Sequence, residues 1–132
     1  MGNQERPYRV PSDQISVLVV DDEFLLRYDL AMFLREQDFE VYEASTADEA
    51  IDLLTGHPGL RAVLTDVCMP GSMDGLELAA RVHDRWPPIK IFVVSGRRKV
   101  TPEELPEGSR FIMKPLLLAR VVAQIRTAVQ PR

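Results

Sequence analysis

Residues 15–23 read Ile15-Ser16-Val17-Leu18-Val19-Val20-Asp21-Asp22-Glu23, and this stretch decides the fold. A short, β-branched and almost wholly apolar run suits a strand covered on both faces, as in a parallel sheet. Three carboxylates end it abruptly and mark the carboxyl edge of that strand. Beyond them Leu26, Leu30, Phe33 and Leu34 fall at i, i+4, i+7 and i+8. That spacing predicts an amphipathic helix with these four residues facing inward.

Working outward, the alternation recurs. Residues 39–43 read as a second strand. A helix over Thr46–Leu54 presents Ala47, Ala50, Ile51 and Leu54 on one face; Ser45 or Thr46 caps it, and Glu49 stands where a capping box needs it. Gly56–Gly59 breaks the pattern before a third strand at 60–65. A loop over 66–74 leads to a helix from about Gly75 to Arg85, which Trp86-Pro87-Pro88 closes. Residues 89–94 form a fourth buried strand, 111–113 lie in a fifth, and 116–129 form a last helix with Leu118, Val122, Ile125 and Val129 inward. Five strands alternating with helices predict an α/β fold with a doubly wound parallel sheet. The stretch GRRKVTPEELPEG, residues 96–108, is the exception, because Pro102 and Pro106 forbid a long helix through it. It predicts a short or irregular element, at most one turn with Thr101 as cap and Pro102 at the first position.

Composition narrows the classes of function. The 132 residues fit one domain, and the net charge of −4 lacks the basic footprint of a nucleic-acid binder. A single cysteine, Cys68, cannot form an internal disulfide or a cysteine-rich zinc site. It reads as a free thiol. Residues 1–14 read as a flexible polar leader without the apolar run of a signal peptide. No stretch approaches the roughly 20 apolar residues needed to span a bilayer. The expectation is a cytoplasmic protein made of this leader, one domain at 15–130 and no output domain, with neither membrane nor nucleic acid as a partner.

In an open α/β sheet, ligands bind outside the carboxyl ends of the strands. Asp21, Asp22 and Glu23 follow the first strand, Asp66 the third and Ser95 the fourth; Lys114, then Pro115, follows the fifth. Each has an ordinary structural explanation: a helix cap, a turn residue, a Ser-Gly turn, a solvated lysine. Their joint placement on one edge is what argues for chemistry. Converging carboxylates repel one another, and a hard divalent cation relieves that repulsion; Mg²⁺ prefers few carboxylates together with water and phosphate oxygens. A lysine opposite them can neutralise a phosphate, and a serine hydroxyl can donate to one. His57 and His83 fall in a loop and on a helix, away from these ends, so a Ser–His nucleophile is missing. A carboxylate nucleophile giving an aspartyl-phosphate fits the set, with Asp66 as the acceptor.

With VLVVDDE at 17–23, LTDVCMP at 64–70, MDGLEL at 73–78, VVSG at 93–96 and FIMKP at 111–115, the chain resembles the receiver domains of two-component response regulators over about residues 14–130. The resemblance implies a flavodoxin-like five-stranded sheet of order 2-1-3-4-5. It implies that Asp66 takes phosphate from a sensor histidine kinase or a histidine phosphotransfer protein. Mg²⁺ (or Mn²⁺) would be ligated by Asp22, Asp66 and the Cys68 backbone carbonyl, with Asp21 acting largely through water. Lys114 would pair with the phosphoryl oxygens, and Ser95 and Phe111 would form the switch. Activity would be limited to self-phosphorylation and slow autodephosphorylation. Three departures stand out. The loop MPGSMDG is one residue longer than usual, Ser95 stands where Thr is commoner, and the proline-interrupted 97–108 stretch replaces a helix that normally helps build the output face.

A stand-alone receiver would act through an unidentified downstream protein, through phosphorelay or as a phosphate sink; a homodimer is compatible with the sequence. Two other readings were weighed. A phosphohydrolase of the haloacid-dehalogenase kind places a second Asp two residues after its nucleophile, where this chain has Cys68. A phosphorylation-independent interaction module would not need the full acidic, Ser and Lys set.

Overall fold

The structure is a computed structural model that describes residues 14–96 and 99–129. The expected leader, apart from Gln14, and Arg97-Arg98 lie outside the described residues. In chain order the elements are β1 (Ser16–Val20), α1 (Phe24–Glu36), β2 (Glu40–Ala44), α2 (Ala47–Gly56), β3 (Leu60–Asp66), α3 (Gly75–Arg85), β4 (Lys90–Ser95), a 3-10 turn (Pro102–Glu104), β5 (Arg110–Met113) and α4 (Leu118–Val129). All four strand pairings are parallel, and the sheet order is β2-β1-β3-β4-β5. The doubly wound architecture expected from the sequence is therefore present.

Strand geometry sends successive side chains to opposite faces. In β1, Val17 and Val19 join one core layer with Leu30, Ala31 and Leu34 of α1 and Val121, Val122 and Ile125 of α4. Leu18 and Val20 join the other, with Ala50 and Leu54 of α2 and Leu78 and Val82 of α3. A strand buried on both faces is why this run shows no polar alternation. Each large side chain fully buried this way, such as Leu34, Leu78 or Phe92, contributes about 1.5–3 kcal/mol through removal from water.

Helix starts follow the expected chemistry. Thr46 caps α2 by accepting from the Glu49 backbone N–H at 3.1 Å. The Glu49 carboxylate reaches back to the Ser45 N–H at 2.6 Å and hydroxyl at 2.9 Å, one residue before the cap. Both hydrogen bonds hold the Glu49 carboxyl below its usual range. Asp74 and Glu77 make a reciprocal capping box on α3.

Among the described residues between β4 and β5 the helical element is short, as the prolines predict. Thr101 and Glu104 close a capping box around one 3-10 turn with Pro102 at its start. Val100 and Leu105 pack against the α2/α3 layer from this segment. They cover part of the core that a longer helix would otherwise shield.

One inward assignment needs correction. Leu30 and Leu34 are buried and Phe33 packs against the core, but Leu26 is 47% exposed. The first turn of α1 stands beyond the edge of the sheet, so its inward face overhangs the strand ends instead of the core. Phe24, Leu25 and Tyr28 are exposed in the same region.

Candidate functional site

Every strand-end residue singled out from the sequence reaches the carboxyl edge of the sheet. Asp21 directly follows β1, Asp66 is the last residue of β3, Ser95 is the last of β4, and Lys114 directly follows β5. The three central strands are held in register, with Val20 opposite Thr65 and Asp66 opposite Val94. Backbone hydrogen bonds then carry the register past the strand ends. Asp21 N–H donates to Ala44 O, Val67 N–H to Val94 O, and Lys114 N–H to Ser95 O. The side chains are thus aimed by sheet geometry and not by loop conformation.

Asp21, Asp22 and Asp66 each place one carboxylate oxygen within 4.8 Å of the others. Lys114 Nζ lies 3.6 Å from Asp66 Oδ1 and 3.6 Å from Asp21 Oδ2. It also lies 3.9 Å from Glu23 Oε1, a carboxylate largely exposed at the rim. Asp21 is nearly buried and Asp22 is exposed, so the cluster grades from the sheet out to solvent. Burial pushes the Asp66 carboxyl above its ordinary range; the Lys114 ammonium opposes that shift and the Asp21 charge adds to it. The Lys114 ammonium outweighs the Asp21 charge but does not offset the burial of Asp66. That donor set, hard oxygens with excess negative charge and one exposed member, fits a small divalent cation. The side chains that would hold it are those of Asp21, Asp22 and Asp66.

Two cavities meet at the cluster. One, of about 450 Å³, is lined by Asp22, Glu23, Asp66, Cys68, Ser95 and Lys114 among others. Cys68, whose backbone carbonyl the family resemblance implies as a ligand, lines this cavity, and its thiol is free. The other, of about 540 Å³, lies on the α1/α4 face and is mostly apolar, with Leu26, Leu30, Pro115, Leu116 and Leu118 in its wall beside Asp21, Asp66 and Lys114. The overhanging first turn of α1 opens this second cavity.

Two glycines let the backbone close around the site. A Cβ on Gly75 would sit 1.8 Å from the Asp66 carbonyl oxygen. Gly75 N–H also donates to Val67 O at 2.9 Å. A Cβ on Gly96 would sit 3.1 Å from Lys114 Cβ. The loop between Met69 and Asp74 is tied down at its middle. Ser72 Oγ donates to the Asp48 carboxylate of α2, and Met69 and Met73 pack on the α2/α3 core layer. Ser95 is buried, and Phe111, two residues into β5, packs on that same layer. His57 lies against Tyr42 with the rings tilted and 4.2 Å between centroids, and neither His57 nor His83 lines these cavities.

Sequence reasoning missed Arg27 and the approach of Glu23 to Lys114. Arg27 donates to the Asp21 carbonyl from α1, a contact that no spacing rule signals.

Comparison with known proteins gives one consistent result. The family model described as response regulator receiver domain matches residues 17–126. The hydrogenase transcriptional regulatory protein HoxA of Cupriavidus necator is 35% identical over 123 residues, which is 89% of this chain and 24% of that protein. The transcriptional regulatory protein SrrA of Staphylococcus aureus is 29% identical over 116 residues, 86% of this chain and 47% of that protein. The chain thus spans between about a quarter and a half of the length of these relatives. Among solved structures, a response regulator receiver protein from Sinorhizobium medicae WSM419 superposes with a TM-score of 0.82 at 23% identity, covering 89% of this chain and 96% of that one.

Proposed function

The chain belongs to the response regulator receiver domain family, and from that premise we propose that Asp66 accepts a phosphoryl group from a phosphohistidine donor in a Mg²⁺-dependent reaction. The observation that carries this reading is the convergence on Asp66 of Asp21, Asp22 and Lys114. An Asp66 carboxylate oxygen attacks phosphorus as the bond from phosphorus to the donor imidazole nitrogen breaks. The products are an aspartyl-phosphate and a dephosphorylated histidine. A Mg²⁺ (or Mn²⁺) ion held by the carboxylates of Asp21, Asp22 and Asp66 and the Cys68 carbonyl would neutralise charge on the transferring group.

The chain's own residues do the remaining work. Lys114, already 3.6 Å from Asp66, pairs with a phosphoryl oxygen through a charge-assisted contact. The Ser95 hydroxyl donates to another phosphoryl oxygen, and Phe111 repacks as Ser95 moves. That pair is the element biased by phosphorylation. The phosphodonor is a sensor histidine kinase or a histidine phosphotransfer protein. The exposed apolar residues Phe24, Leu25, Tyr28 and Leu117 around the site support a protein, rather than a small metabolite, as the physiological donor. The signal leaves through contact with a downstream protein, through onward phosphorelay or through dimerisation; a phosphate sink is the alternative.

Mixing the protein with Mg²⁺ and acetyl phosphate should add one phosphate, detected as a mass increase and abolished in Asp66→Asn. Labelling of Asp66→Asn to the parental extent would sink this reading. An amide NMR spectrum unchanged by Mg²⁺ and beryllofluoride would instead favour a phosphorylation-independent binding module.

A further inference from the structure

The acidic turn after β1 is held from four directions. Asp21 N–H donates to Ala44 O of β2 at 3.1 Å, and Asp21 Oδ1 accepts from the Glu23 N–H at 2.9 Å. Asp21 Oδ2 faces Lys114. The fourth hold is the guanidinium of Arg27, whose Nη1 donates to the Asp21 carbonyl at 2.9 Å. Three of these holds come from backbone or from a member of the site. Arg27 is the one side chain from outside the cluster among them.

Arg27 is itself fixed. Its Nε donates to Glu43 Oε1 at 3.0 Å, and its side chain is only 14% exposed. Arg35, two turns further along α1, donates to the other Glu43 oxygen at 3.1 Å and to the Val41 carbonyl at 2.9 Å. The Arg27 guanidinium also lies 5.4 Å from the centroid of the exposed Phe24 ring. A planar fork with fixed donor directions can grip a carboxylate and a carbonyl at once; an ammonium cannot do so with the same geometry.

We propose that Arg27 is a positioning residue for the site: by holding the Asp21 carbonyl against Glu43 it fixes the Asp21-Asp22 turn and thereby sets the affinity of the carboxylate cluster for a divalent cation. The proposal rests on the cation-binding reading above. Arg27 touches none of the cluster's carboxylate oxygens and acts through the backbone that carries them. Groups that orient metal-binding residues from behind typically change metal affinity by 10–100-fold when removed.

The experiment is a Mg²⁺ titration followed by amide NMR, at fixed pH and ionic strength, of the parent and of Arg27→Ala, Arg27→Lys, Arg27→Gln and Arg35→Ala. Arg27→Ala should weaken Mg²⁺ by about ten-fold or more, and Arg27→Lys should rescue little of that loss. Arg27→Gln keeps a donor and much of the stem, and stands in if the alanine variant fails to fold. Before Mg²⁺ is added, the Asp22 and Glu23 amide signals should already have moved in the Arg27 variants. With acetyl phosphate, saturating Mg²⁺ should restore most of the lost rate, because the deficit lies in cation affinity. Arg35→Ala breaks the same network one link further from the site and should leave Mg²⁺ affinity within about two-fold, far inside the 10–100-fold range. Parental Mg²⁺ affinity in the folded Arg27 variants overturns the proposal, as does an equal loss in Arg35→Ala, which would mark Arg27 as structural only. If the parent itself binds neither Mg²⁺ nor beryllofluoride, the reading of the site falls, and this proposal with it.

Discussion

Two connections at the carboxyl edge of the sheet are built differently, one fixed at both ends and the other packed on the core from its middle. The 67–74 connection between β3 and α3 has both ends fixed. Val67 N–H bonds Val94 O, Asp74 caps α3 and Gly75 lies against the Asp66 carbonyl. Its middle turns at Gly71, whose φ is +110, and is pinned by Ser72 to Asp48. The 96–109 connection between β4 and β5 carries, among its described residues, one 3-10 turn and no longer helix. A connection whose ends are fixed absorbs an insertion locally. A connection whose middle is rewritten changes the surface it presents. The first connection holds the backbone beside Asp66, and the second shapes the surface beyond β4 and β5.

That contrast can be broken at its strongest point by Gly75→Ala. A Cβ at 1.8 Å from the Asp66 carbonyl cannot be accommodated without moving the backbone beside Asp66. Urea denaturation should show a loss of about 3 kcal/mol, the upper end for overpacking, together with failed phosphorylation from acetyl phosphate. A loss below about 1 kcal/mol would mean that the end of this loop is not fixed after all. Leu105→Ala tests the other connection. This half-buried side chain secures the segment to the α2/α3 layer, so its truncation should cost about 1–2 kcal/mol, below the range for a fully buried leucine. Phosphorylation from acetyl phosphate should persist, while hydrogen exchange rises over 99–109.

Asp74→Ala removes a cap with both hydrogen bonds formed and should cost about 1 kcal/mol in the same denaturation assay. Ser72→Ala severs the pin between loop and α2 at an exposed position and should change stability by less than about 0.5 kcal/mol. Faster exchange should be confined to residues near Ser72. The subtlest effect is on pH dependence. The folded-state pKa of Asp66 is raised, so the folded protein binds more protons than the unfolded chain between the two pKa values. Without added metal, the Asp66 contribution should therefore favour folding as pH falls through the folded pKa and oppose it above. The parent-minus-Asp66→Asn difference in melting temperature should become less unfavourable to the parent as pH is lowered. A difference that grows in the opposite direction would show that Lys114 outweighs burial.

Much of this was legible from residues alone, and the reasons differ by element. The two-faced burial of Val17–Val20 leaves a signature in composition, because no position in that run tolerates a polar side chain. Capping at Thr46 and Thr101 was legible because a short polar side chain three residues before a carboxylate has few other uses. Helical spacing identifies which side of α1 faces inward, but it does not show how far the helix runs past the sheet. That is why Leu26 was misplaced. Arg27 was invisible for a different reason. Its partners Asp21 and Glu43 come from β1's end and from β2, and only the packed sheet brings them together. The site residues were recoverable because topology places them, whereas the groups that steady them come from tertiary contacts.

The interval between each strand and its site residue has a consequence for anyone who rebuilds this chain. Asp66 and Ser95 are the final residues of their strands, and Asp21 and Lys114 come immediately after theirs. A deletion inside a strand therefore exchanges the two core layers and carries the wrong side chain to the edge, because strand parity is two. An insertion after the site residue meets no such constraint. The tip around Gly71 and Ser72 is exposed and lies beyond Asp66 in the chain, so it is where a reporter or an added recognition sequence can be spliced in while Asp66 stays in place.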